Sequence, residues 1–135
     1  MLITRRFDFS ASHVCRSARL SEEENLRIYG AAANPNGHGH NYVVDVTLAG
    51  EPDPISGMVM DLKDLKTILA REVEAVYDHR FLNREVAAFA DVVPTVENIA
   101  IDIWRRVEPC VGGKLHAVRV YETPELFVEY FGAGK

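Results

Sequence analysis

From His40 to Leu48 the chain alternates, with Tyr42, Val44, Val46 and Leu48 on one side and Asn41, Val43, Asp45 and Thr47 on the other. A period of two predicts a strand with one buried face. Ile3–Ser10 reads the same way, placing Ile3, Arg5, Phe7 and Phe9 together. Two further strands, Leu115–Tyr121 and Leu126–Phe131, flank a turn at Thr123-Pro124-Glu125, and Met58–Met60 is expected as a short return strand after the loop Gly50–Gly57. Elsewhere the period lengthens to that of a helix. Asp61 is placed to cap a helix whose apolar residues are Leu62, Leu65, Ile68, Leu69, Val73 and Val76. Thr95, just after Pro94, opens another that buries Val96, Ile99, Ala100, Ile103, Trp104 and Val107. Ser21-Glu22-Glu23-Glu24 has capping-box spacing, so a short helix is expected up to about Tyr29. Strands at both ends with helices between them predict an α+β fold, an antiparallel four-stranded sheet with two helices packed on one face. Such a sheet has two free edges, which favours oligomerisation.

Composition narrows the class. A chain of 135 residues, 47% hydrophobic and 26% charged, has room for a single domain over 1–135 and the balance of a globular one. No apolar run approaches the roughly 18 residues that span a bilayer, and the N-terminal segment lacks the apolar stretch of a signal peptide. Fifteen basic against twenty acidic residues give a net charge of −5, which argues against nucleic acid as a partner. Cys15 and Cys110 are too few for a disulfide framework. A cytoplasmic protein with neither nucleic-acid nor membrane partner is the expectation.

Of five histidines, three lie in the first 40 residues. In Asn36-Gly37-His38-Gly39-His40-Asn41-Tyr42 the two imidazoles fall at i and i+2, so an extended backbone points both to one side. His13 ends the first strand, the natural partner of the strand beginning at His40. Three imidazoles converging with a fourth position open is how catalytic zinc is held. Alone, H-x-H also suits a solvated strand.

The surrounding segments decide between these. Phe9-Ser10-Ala11-Ser12-His13, Glu23-Glu24-Asn25-Leu26, Asn34-Pro35-Asn36-Gly37-His38-Gly39-His40-Asn41-Tyr42, Gly57-Met58-Val59-Met60-Asp61-Leu62, Asp78-His79, Phe89-Ala90-Asp91-Val92-Val93, Thr95-Val96-Glu97-Asn98 and Val120-Tyr121-Glu122-Thr123 run in one order along nearly the whole sequence. In them the protein resembles the 6-pyruvoyl-tetrahydropterin synthase family, which includes the 6-carboxy-tetrahydropterin synthases of the queuosine pathway. The resemblance implies a tunnelling fold, assembled as a homohexamer (a dimer of trimers), and Zn2+ on His13, His38 and His40. It implies a pterin substrate, 7,8-dihydroneopterin triphosphate, from which triphosphate is eliminated. It gives Asp78 and His79 the role of proton relay, Glu122 that of anchor for the guanidine-like edge of the pterin, and Thr95 and Glu97 places in the pterin pocket. Read without the family, Thr95 is a plain N-cap, Glu97 complements a helix dipole, and Asp78-His79 is a surface turn.

One position departs from the pattern. Pyruvoyl-type members carry a general-base cysteine six residues before the first histidine of H-x-H; here that position is Ala32. General-base assistance contributes on the order of 10²–10⁴-fold in rate. Cys15, two residues after His13, is the candidate substitute base; His79 is another; a small apolar filler is the plain reading of Cys15. The function expected is a zinc-dependent pterin lyase of the pyruvoyl type. The alternatives are a 6-carboxy-5,6,7,8-tetrahydropterin synthase and a pterin-binding zinc protein without the elimination. Arg16 and Arg19, in the loop after His13, are candidates for meeting the triphosphate.

Overall fold

In the computed structural model, which describes residues 1–134, the alternating segments pair as expected and run further. Strand β1 (Leu2–His13) and strand β2 (His38–Ala49) form one antiparallel ladder from Leu2 opposite Ala49 to His13 opposite His38. Pairing extends past Ser10 because Gly39 lets the strands approach: a Cβ there would sit 3.2 Å from the Ala11 carbonyl oxygen. Gly37 makes the entry turn, with φ of 76° and the His13 carbonyl oxygen 3.3 Å from where a Cβ would be.

Helix α1 (Glu22–Tyr29) has both halves of its capping box, the Ser21 hydroxyl accepting from the Glu24 amide and the Glu24 carboxylate from the Ser21 amide. Helix α2 (Leu62–Leu69) is capped by Asp61 and runs on through a π-helical turn, Ala70–Glu74, into helix α3 (Ala75–Tyr77). There follow a two-residue strand β3 (Arg80–Phe81), a short helix α4 (Leu82–Glu85) and helix α5 (Val96–Val107), capped by Thr95. Strands β4 (Leu115–Thr123) and β5 (Leu126–Tyr130) complete a sheet of order β3-β1-β2-β4-β5.

That sheet has five strands instead of the expected four, and β3 runs parallel to β1, so it is mixed. Met58–Met60 forms no strand. Asp53 organises a turn there instead: its amide donates to the Met58 carbonyl at 2.9 Å, and its carboxylate accepts from the amides of Ile55 and Ser56 in the preceding loop. The α+β arrangement stands. Leu65, Leu69 and Val73 with Ile99, Ile103 and Val107 bury against Tyr42, Val44, Val46 and Leu48 of β2 and Val118 and Val120 of β4. Each large apolar side chain so buried stabilises by roughly 1.5–3 kcal/mol. The opposite face is polar, with Arg6 bidentate on Asp45 (2.7 and 2.9 Å) and Arg119 on Glu129 (2.9 Å). No helix among the described residues is long and apolar enough to cross a membrane.

Candidate active site

The buried face of the sheet turns polar at one end. Opposed residues in an antiparallel pair share a face, so His13 and His38 lie beside each other, and His40 follows two residues on. Val118 and Val120 are the inward residues of β4, and Glu122 continues that face past the last buried valine. Ligand atoms of His13, His38, His40 and Glu122 all lie within 4.8 Å of one another. His13 Nε2 is 3.0 Å from His38 Nε2 and 3.6 Å from Glu122 Oε1, and His40 Nε2 is 2.9 Å from that same oxygen.

The protonation pattern fits a cation. His13 Nδ1 lies 2.7 Å from the Pro94 carbonyl oxygen, which only accepts, so Nδ1 carries the hydrogen and Nε2 presents a lone pair to the cluster. Burial lowers the pKa of His13 and of His40, favouring neutral imidazoles. His40 Nε2 is buried without a hydrogen-bond partner; Glu122 is near enough but lies outside the angle a hydrogen bond requires. A metal ion would satisfy that nitrogen and the His13 lone pair together. Three imidazoles and a carboxylate are a donor set for a first-row divalent ion.

A cavity of about 390 Å³ adjoins the cluster, lined by Cys15, Ala32, Thr95, Glu97 and Glu122. The structure thus collects the residues expected around the pterin, together with both candidate thiol positions. The Cys15 amide donates to the Ala32 carbonyl at 2.8 Å, which sets the two positions side by side. Burial, with the charges of Glu122 and Glu97, pushes the Cys15 thiol up to about 11, the opposite of what a base needs near neutrality. The Glu122 carboxylate, expected at the pterin, stands at the metal cluster's edge as well. Its nearness to His40 follows from the register of β4 on β2, which local periodicity does not reveal.

Asp78 and His79 sit apart. Asp78 accepts from the Ser10 amide at 2.9 Å and pairs with His79 Nδ1 at 3.0 Å, and the His79 side chain is 84% exposed. His79 lines a different cavity, of about 560 Å³, together with Ser10, Ser12 and His40. Arg16 and Arg19 line a third, of about 350 Å³, and Arg16 is already engaged by Glu22 and the Ala33 carbonyl.

Known proteins share this architecture. The family described as 6-pyruvoyl tetrahydropterin synthase matches residues 2–133. The 6-pyruvoyl tetrahydrobiopterin synthase of Homo sapiens is 49% identical over 131 residues, covering 96% of this chain and 90% of the relative. The protein of the same name from Dictyostelium discoideum is 40% identical over 132 residues, covering 98% and 96%. The solved structure of Caenorhabditis elegans 6-pyruvoyl tetrahydropterin synthase superposes with a TM-score of 0.95 at 40% identity, over 98% of this chain and 96% of that one.

Proposed function

The chain belongs to the 6-pyruvoyl tetrahydropterin synthase family, and on that premise we propose that it is a zinc-dependent pterin lyase that eliminates triphosphate from 7,8-dihydroneopterin triphosphate. The observation that carries the reading is the convergence of His13, His38, His40 and Glu122 at the end of a pocket walled by Thr95 and Glu97.

His13, His38 and His40 hold the zinc, with His13 oriented by the Pro94 carbonyl. Bound there, zinc supplies Lewis-acid stabilisation of charge developing on the hydroxyl oxygens of the substrate. Glu122 accepts the parallel N–H bonds of the pterin's guanidine-like edge, the arrangement a carboxylate serves best, and Thr95 and Glu97 line the pocket around it. A carbon-bound proton of the substrate passes to a base while triphosphate departs with the electron pair of its C–O bond. Ala32 cannot take that proton. Cys15 is the thiol at the same wall of the pocket, and the Asp78–His79 dyad relays the proton onward. The dyad's exposure suits an assembly in which it reaches the pocket of a neighbouring copy, within a cytoplasmic homohexamer.

The alanine at position 32, where the family's base is expected, favours a second reading, a pterin- and zinc-binding protein without the elimination. Incubation with 7,8-dihydroneopterin triphosphate, with product identification and metal analysis, separates the readings. A 6-pyruvoyl product and inorganic triphosphate support the lyase, and a 6-carboxy product assigns the queuosine branch. Tight pterin binding without turnover leaves the second reading.

A further inference from the structure

His79 is the one non-glycine among the described residues with a positive φ, 60°. A left-handed backbone is unfavourable for a residue that carries a side chain, so its surroundings hold it there. The forward side is pinned to β1: the His79 amide donates to the Ser10 carbonyl at 2.6 Å, the Ser10 amide donates to Asp78, and Arg80 and Phe81 pair with Ala11 and Ser12. The backward side ends in Tyr77, fully buried at the close of α3. Its ring packs edge-on against Phe9 (5.1 Å) and Phe89 (6.1 Å). Its hydroxyl donates to Asp102, which also accepts from Arg106 at 2.7 Å, and the Arg106 guanidinium lies 5.8 Å from the Tyr77 ring centre.

Apolar contacts are non-directional, whereas a hydrogen bond fixes one atom, and the α2–α3 helix carries a π-turn one step earlier. A π-turn shifts the phase of everything that follows it. The hydroxyl–carboxylate contact fixes that phase at the last residue before the dyad. Both acceptor and guanidinium belong to α5, whose first turn supplies Glu97 to the pterin pocket. One helix therefore sets the pocket wall and braces the dyad. We infer that Tyr77 and Asp102 are positioning residues for Asp78–His79, holding the turn in the left-handed geometry that presents the imidazole outward. The inference rests on the reading of that dyad as the proton relay.

Tyr77→Phe tests it, because the ring and its packing remain and only the hydroxyl goes. Amide hydrogen exchange followed by NMR reads the turn directly. The His79 and Ser10 amides, both hydrogen-bonded within it, exchange several-fold faster in the variant, while the amides of Val44 and Val46 keep their wild-type rates. In turnover kcat falls several-fold with KM unchanged. Asp102→Asn, which keeps an acceptor for the hydroxyl, recovers most of both effects relative to Asp102→Ala. Unchanged exchange at His79 and Ser10, or a uniform rise across the sheet, overturns the inference, the second because it marks a merely structural contact. If the wild-type protein turns over no substrate, the proposed lyase fails by itself and the exchange pattern alone decides the positioning role.

Discussion

His13 is committed to its tautomer by the Pro94 carbonyl, which can only accept, and its Nε2 lone pair then has the cluster as its partner. Removing a neighbouring donor therefore removes affinity rather than fold. His38→Ala, at a half-buried residue on the strand end, should cut metal affinity by more than the roughly 10–100-fold typical when a group that merely supports a ligand is lost, with the circular dichroism spectrum retained; chelator competition measures it. Position 32 is a second residue-scale test. Ala32→Cys restores the expected base, and a gain of about 100-fold or more in kcat marks the thiol as the missing part. If Cys15 is the base in use, Cys15→Ala abolishes the native rate. An unaffected rate removes it from the mechanism. Asp78 carries the pH prediction. The Ser10 amide, and then His79, hold its carboxyl below the ordinary 3.8. A depressed acid stabilises the fold above its unfolded pKa and loses that contribution as pH falls through the folded value. The stability advantage of wild type over Asp78→Asn should thus be constant down to about pH 5 and vanish below the usual carboxylate range, as read by denaturant midpoints at each pH.

Where an element's signal is local, the sequence announces it. The alternation of Tyr42, Val44, Val46 and Leu48 predicts β2, and Asp61 and Thr95 mark helix starts that the structure places one residue later. Ser21 and Glu24 predict a capping box whose bonds are 3.1 and 3.0 Å. Ser21→Ala should lower stability by about 1 kcal/mol, visible in the thermal midpoint and in amide exchange confined to α1. Elements made by tertiary partners are not legible in this way. Two residues, Arg80 and Phe81, form β3 where Ser10 ties the turn to β1, its carbonyl accepting from the His79 amide and its amide donating to the Asp78 carboxylate. Met58–Met60 has strand-like residues and forms none; its Met58 carbonyl is taken up by the Asp53 amide of the preceding turn. The site divides the same way. The i, i+2 spacing of His38 and His40 is readable in the sequence, whereas the approach of Glu122 to His40 depends on strand register, and the separation of Asp78–His79 from the pocket depends on the whole path of the backbone.

At the scale of the molecule, the groups that the proposed reaction needs are divided. Glu97, Glu122, Thr95 and Cys15 line one cavity, whereas the imidazole of His79 lines another at the β3 edge and is mostly open to solvent. A proton relay left facing water does little for a substrate held elsewhere; in the homohexamer proposed above, the dyad of one copy would serve the pocket of the next. Subunit mixing distinguishes that from a site completed within one subunit. His38→Ala subunits lack the metal site but keep the dyad; His79→Ala subunits have the reverse. In an equal, randomly assembled mixture, about a quarter of shared sites pair an intact pocket with an intact dyad, given equivalent interfaces throughout a symmetric ring. Co-expression of the two variants under separate affinity tags should therefore return about a quarter of the wild-type rate per site, while each variant alone is inactive. Sites completed within one subunit return nothing, because no subunit in the mixture holds both halves.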